Sequence, residues 1–97
     1  MLYQYRTDGC TLNDADQALI EEKLEKLTKF GRIGDESTKA QIEVLRGTRH
    51  ESPNYRIDVH ITYPQGELYA EASGESIATA TDAVEAKLRS QAEKIKA

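Results

Sequence analysis

Cysteine occurs once, as Cys10, in a chain of 97 residues. That scarcity excludes an internal disulfide and a cysteine metal cluster; Cys10 reads as a small apolar residue in a turn. Histidine is almost as scarce. His50 falls in a loop and His60 on the polar side of a strand, and two isolated imidazoles do not make a metal site. No apolar run approaches the roughly 20 residues of a membrane span, and the opening Met1-Leu2-Tyr3-Gln4-Tyr5 is no signal peptide, so a cytoplasmic location is expected. An excess of positive charge is also missing. Thirteen Lys+Arg stand against 17 Asp+Glu, a net charge of −4, the wrong sign for a protein held on nucleic acid by its overall charge. A polyanion would have to be met by a local patch. Finally, no GxGxxG, P-loop, HExxH or CxxC is present, and Ser52, Ser73 and Ser76 have no base beside them in sequence. Neither catalysis, nor a cofactor, nor a small-molecule substrate is expected.

Repeats, low-complexity tracts and linkers are absent too, so residues 1–97 form one expected domain. A chain of this length buries roughly 60–65% of its extended surface on folding and has a stability on the order of 5–10 kcal/mol.

The strongest positive signal lies in the last quarter, 73–97. Ile77, Thr81, Val84, Leu88, Ala92 and Ile95 fall on one helical stripe, with Ser76 as the natural N-cap. At roughly 100° per residue, Lys87 and Lys94 share one flank with Ala80, Ala83 and Ser90, and no acid stands on that flank. Asp82, Glu85 and Glu93 lie on the other, beside Arg89 and Lys96. A second helix is expected from Asp14 to about Phe30. Asn13 and Asp16 form a capping box, Leu19, Ile20, Leu24, Leu27 and Phe30 make a buried arc, and Gly31 stands at C′. Lys23 falls inside that arc and Lys26 at its edge. Lys23 reads either as a stem snorkelling over apolar surface or as a positioned cation.

Four stretches alternate as strands do: Leu2–Arg6, Lys39–Arg46, Tyr55–Tyr63 and Glu67–Ser73. Arg32–Thr38 and Gly47–Asn54 are the connecting loops, and Pro64-Gln65-Gly66 is a tight turn. Ala40, Ile42, Val44, Tyr55, Ile57, Val59, Ile61, Tyr63, Leu68, Ala70 and Ala72 point inward. The outward set is Gln41, Glu43, Leu45, Arg56, Asp58, His60, Thr62, Tyr69 and Glu71. The order β-α-β-β-β-α predicts an α+β two-layer sandwich, a four-stranded sheet with both helices on one face and the last three strands as an antiparallel meander. One tyrosine among three acids is a poor stacking platform for RNA bases. If RNA is bound, the helices carry it, with Lys23, Lys26, Lys87 and Lys94 read as free of acidic neighbours. The alternative is that these lysines simply extend into solvent.

The element order, the segments LIEEKLEKLTKF (Leu19–Phe30) and GELYAEASGESIATATDAVEAKL (Gly66–Leu88), and the basic end of the second helix resemble the ribosome hibernation-promoting factors, also called ribosome-associated inhibitors, protein Y or the sigma-modulation family. Members carry lysines at the positions of Lys23 and Lys26, and Gly74, Ala80, Asp82, Lys87 and Leu88 answer to the family's second-helix pattern. The resemblance implies a stress or stationary-phase translation inhibitor that occupies the decoding region of the small ribosomal subunit. It implies contact with ribosomal RNA through Lys23, Lys26, Lys87, Arg89 and Lys94. It also implies a short form, without the C-terminal dimerisation extension and monomeric off the ribosome. The net charge motivates a different possibility, a protein–protein regulator that keeps the fold without binding ribosomes. Convergence of the lysines into one patch would favour the first, and scatter the second.

Overall fold

The computed structural model describes residues 1–30, 33–34, 36–47 and 54–94. Expectations at Gly31, His50, Ser52, Ile95 and Lys96 lie outside the described residues. The order is β1 (Leu2–Asp8), α1 (Asp14–Glu25), a 3-10 turn (Lys26–Lys29), β2 (Lys39–Gly47), β3 (Asn54–Tyr63), β4 (Gly66–Gly74) and α2 (Ile77–Glu93). The four strands form one sheet in the order β1-β2-β3-β4. The β2-β3-β4 meander is antiparallel as expected, while β1 pairs parallel to β2, which leaves α1 as the crossover between them.

Alternation decides the two faces. Ala40, Ile42, Val44, Ile57, Val59, Ile61, Leu68, Ala70 and Ala72 are buried beneath the helices, joined by Ile20, Leu24 and Leu27 from the α1 side and Ala80, Val84, Leu88 and Ala92 from α2. Each large aliphatic side chain so buried is worth roughly 1.5–3 kcal/mol against leaving it in water. Leu19 and Phe30 are only half-buried. The first helix also ends earlier than its periodicity predicts, at Glu25. Thr28 Oγ1 donates to the Glu25 carbonyl at 2.6 Å, and the Phe30 amide closes on Leu27 O at 3.1 Å. Those bonds tighten the last turn into 3-10 geometry.

Both helix starts are built as their sequences specify. Asn13 Oδ1 accepts from the Asp16 amide at 2.7 Å and Asp16 Oδ2 from the Asn13 amide at 3.2 Å, a reciprocal capping box. Ser76 Oγ accepts from the Thr79 amide at 3.1 Å. Gly74 makes the tight β4–α2 passage possible: a Cβ there would stand 2.7 Å from the Ala80 nitrogen.

Candidate nucleic-acid interface

Four of the five basic residues singled out by sequence divide between the two flanks of α2, and Lys26 lies in the 3-10 turn after α1. On one flank, α2 meets the free edge of β4. The Gln91 side-chain amide spans both backbone groups of Tyr69, donating to its carbonyl at 2.6 Å and accepting from its amide at 3.3 Å. Lys87 Nζ donates to the Glu71 carbonyl at 2.8 Å. Two helix side chains thereby satisfy edge groups that a fifth strand would otherwise claim. Lys94, two turns beyond Lys87 on the same flank, is the exposed C-cap of α2.

The other flank faces α1. Here Lys23 Nζ lies 2.9 Å from Asp82 Oδ1. Its pKa is raised above the ordinary lysine value, first by that hydrogen bond and then by the charge on Asp82. The expectation that Lys23 is free of acidic neighbours is therefore corrected. Asp82 reaches Lys23 from α2, and helical period relates only residues of the same helix. Lys23 combines both of its readings, with only 27% of its side chain exposed and its ammonium paired. Arg89 holds Glu85 with two hydrogen bonds, one of 3.1 Å from Nε. Glu85, expected on the polar side of the helix, is 4% exposed. Lys26, in the 3-10 turn, is exposed. Among the described residues neither Lys26 nor Lys94 enters an ion pair.

The geometry therefore brings together Lys23 and Arg89 with Asp82 and Glu85 across the helix–helix groove. It puts Lys87 and Lys94 on the opposite flank. Sequence reasoning passed over Gln91, because nothing local marks a glutamine that will meet a strand edge. The Glu85–Arg89 pair was legible, being an i,i+4 contact of the ordinary helical kind.

The open face of the sheet has a different character. Strand register lines up Gln4, Gln41, His60 and Tyr69 in one row and Arg6, Glu43, Asp58 and Glu71 in the next. Arg56 reaches Asp58 at 3.0 Å and also Glu71, Tyr69 Oη donates to Glu71 at 3.1 Å, and His60 Nε2 lies 2.8 Å from Glu67. Arg56 and His60 of this face are engaged by its own acids, and Tyr69 is its one exposed aromatic among the described residues. No group of three or more His, Cys, Asp or Glu among the described residues could hold a metal ion, and no described helix is long and apolar enough to cross a membrane.

The sequence profile of the Sigma 54 modulation protein / S30EA ribosomal protein family matches residues 3–97. No curated protein matches the sequence. Among solved structures, the fold is similar to that of the Thermus thermophilus Protein Y N-terminal domain. The TM-score is 0.82 at 18% identity, covering 99% of this chain and 100% of that one. It is also similar to a ribosomal subunit interface protein from Coxiella burnetii, with a TM-score of 0.76 at 22% identity and coverage of 97% and 96%.

Proposed function

The chain belongs to the Sigma 54 modulation protein / S30EA ribosomal protein family, and from that membership we propose that it is a ribosome-binding inhibitor of translation for stressed or stationary cells, occupying the decoding region of the small ribosomal subunit. The observation that carries this reading is the extent of the family match, residues 3–97, which takes in both helices and all but the first residue of the sheet. Lys23, Lys26, Lys87, Arg89 and Lys94 are the proposed contacts to ribosomal RNA. Their ammonium and guanidinium groups replace counterions on phosphates, so affinity falls as salt rises. Lys23, Lys87, Arg89 and Lys94 divide between the two flanks of α2 instead of converging into one patch, which by the criterion set out from the sequence counts toward the regulator. The ribosome reading rests on the family match and requires a folded RNA channel whose walls meet both flanks. Shape complementarity to that channel supplies the specificity that lysine–phosphate contacts lack.

A second reading has its own observation. The acid-rich open face, with Glu43, Asp58 and Glu71 in one row, suits a basic protein partner, and a family member without ribosome affinity could act as a protein–protein regulator through it.

Co-sedimentation with purified small subunits at low and moderate salt separates the two. Lys26 and Lys94 are the residues to reverse, because Lys87 also serves the β4 edge and its loss would disturb the fold. The chain is expected to pellet at low salt and to lose most of its binding as the Lys26→Glu, Lys94→Glu double variant. Binding indifferent to that substitution removes the assigned lysines. Failure of the unmodified chain to pellet at low salt removes the ribosome reading and leaves the regulator.

A further inference from the structure

In the isolated protein Lys23 already has an anion. Its ammonium is 2.9 Å from a carboxylate oxygen of Asp82, and this contact ties the last turn of α1 to the second turn of α2. The pair sits at the surface: 60% of the Asp82 side chain is exposed. Arg89, on the same flank, is held differently. Its partner Glu85 has 6% of its side chain exposed, and withdrawing Arg89 would leave a buried carboxylate without a counter-charge, a heavy cost. Withdrawing Lys23 leaves Asp82 in water, where a lone carboxylate is well solvated. The two ion pairs therefore differ in what it takes to open them.

We propose that Asp82 is a built-in competitor for RNA phosphate at Lys23, displaced when the chain binds, while the Glu85–Arg89 pair stays closed. The proposal rests on the ribosome-binding reading above and assigns that site its regulation. Phosphate and carboxylate oxygens accept the same ammonium hydrogen bonds, so only one anion has the short contact at a time. A phosphate approaching Lys23 also meets the charge of Asp82 directly. Both effects weaken binding to any polyanion that cannot reach the other lysines as well. A channel contacting several lysines at once overcomes the competitor, whereas a stray single strand touching Lys23 alone does not. Asp82 thus biases an acidic protein toward a shaped RNA site and away from casual polyanion contact.

The test is binding of purified small ribosomal subunits at low and moderate salt to five proteins: the unmodified chain, Asp82→Asn, Asp82→Ser, Lys23→Met, and Asp82→Asn combined with Lys23→Met. An exposed pair of this kind predicts that Asp82→Asn binds about two- to five-fold tighter. The gain should disappear in the Lys23→Met background. Asp82→Ser, which removes the charge with a different side chain, should reproduce the gain, and thermal melting of each variant separates binding from folding. Unmodified chain that binds while Asp82→Asn binds equally or more weakly overturns the competitor role alone. So does a gain that survives without Lys23, since it would reflect general charge removal. Absence of binding by the unmodified chain and by Asp82→Asn at low salt overturns the ribosome reading and this inference with it.

Discussion

Tyr3 and Tyr5 illustrate what single residues decide in this fold. They lie on the helix side of β1, packed against the core, and donate to α1: Tyr3 Oη to Glu25 and Tyr5 Oη to Glu21, the latter at 2.6 Å. Partial burial, and next the hydrogen bonds to those carboxylates, push both phenols well above the ordinary tyrosine value. The sign follows from linkage. A folded state that keeps protons the unfolded chain releases loses stability once pH rises past the unfolded value of about 10, and is unaffected well below it. The thermal midpoint is expected to fall at alkaline pH, and the Tyr3→Phe, Tyr5→Phe double variant to fall less steeply between about pH 10 and pH 11.5. Circular dichroism melts at several pH values measure this, and identical slopes for the two proteins would remove these phenols as a cause. Alternation alone puts Tyr3 and Tyr5 on one face. Their acceptors on α1 were not legible, because the crossover helix's rotation over β1 is set by packing.

At the scale of elements, the notable contact is between α2 and the free edge of β4. An edge strand presents unpaired amides and carbonyls that invite another strand, and here Gln91 occupies both the amide and the carbonyl of Tyr69 while Lys87 occupies the carbonyl of Glu71. Gln91→Ala is expected to cost about 0.5–1.5 kcal/mol per lost hydrogen bond by urea unfolding and to speed hydrogen exchange at the Tyr69 amide. Combined with Lys87→Ala, it should raise self-association in sedimentation velocity. An unchanged Tyr69 exchange rate would show that the amide does not protect the edge. The stripe Ile77, Thr81, Val84, Leu88, Ala92 was visible in sequence because helical period is a local property. Which flank of that stripe would meet β4 and which α1 was not, since a helical wheel has no neighbours drawn on it.

At the scale of the whole molecule, the proposed ribosome reading sets a net charge of −4 against a polyanionic partner. On that proposal attraction would come from a few cations acting over short range, which makes the ionic-strength dependence informative. Each lysine that neutralises a phosphate adds about 0.7–0.9 to the magnitude of the slope of log affinity against log salt, so Lys23, Lys26, Lys87 and Lys94 together contribute about −3 to that slope. Lys26→Ala should reduce its magnitude by just under one. A salt titration of small-subunit binding reads both, and a flat titration would mean that phosphate contacts do not carry the affinity.

The element order, the inward and outward faces of the last three strands, both N-caps and most of the core follow from the sequence by itself. They depend on period, on capping chemistry and on turn residues, all set within a dozen positions of one another. The parallel place of β1 beside β2, the pairing of Lys23 with Asp82, the burial of Glu85 and the engagement of Lys87 at the β4 edge were decided by the tertiary structure. Each depends on how two elements distant in sequence are set against one another, and that orientation is fixed by the fit of the whole core, to which no single segment holds the answer.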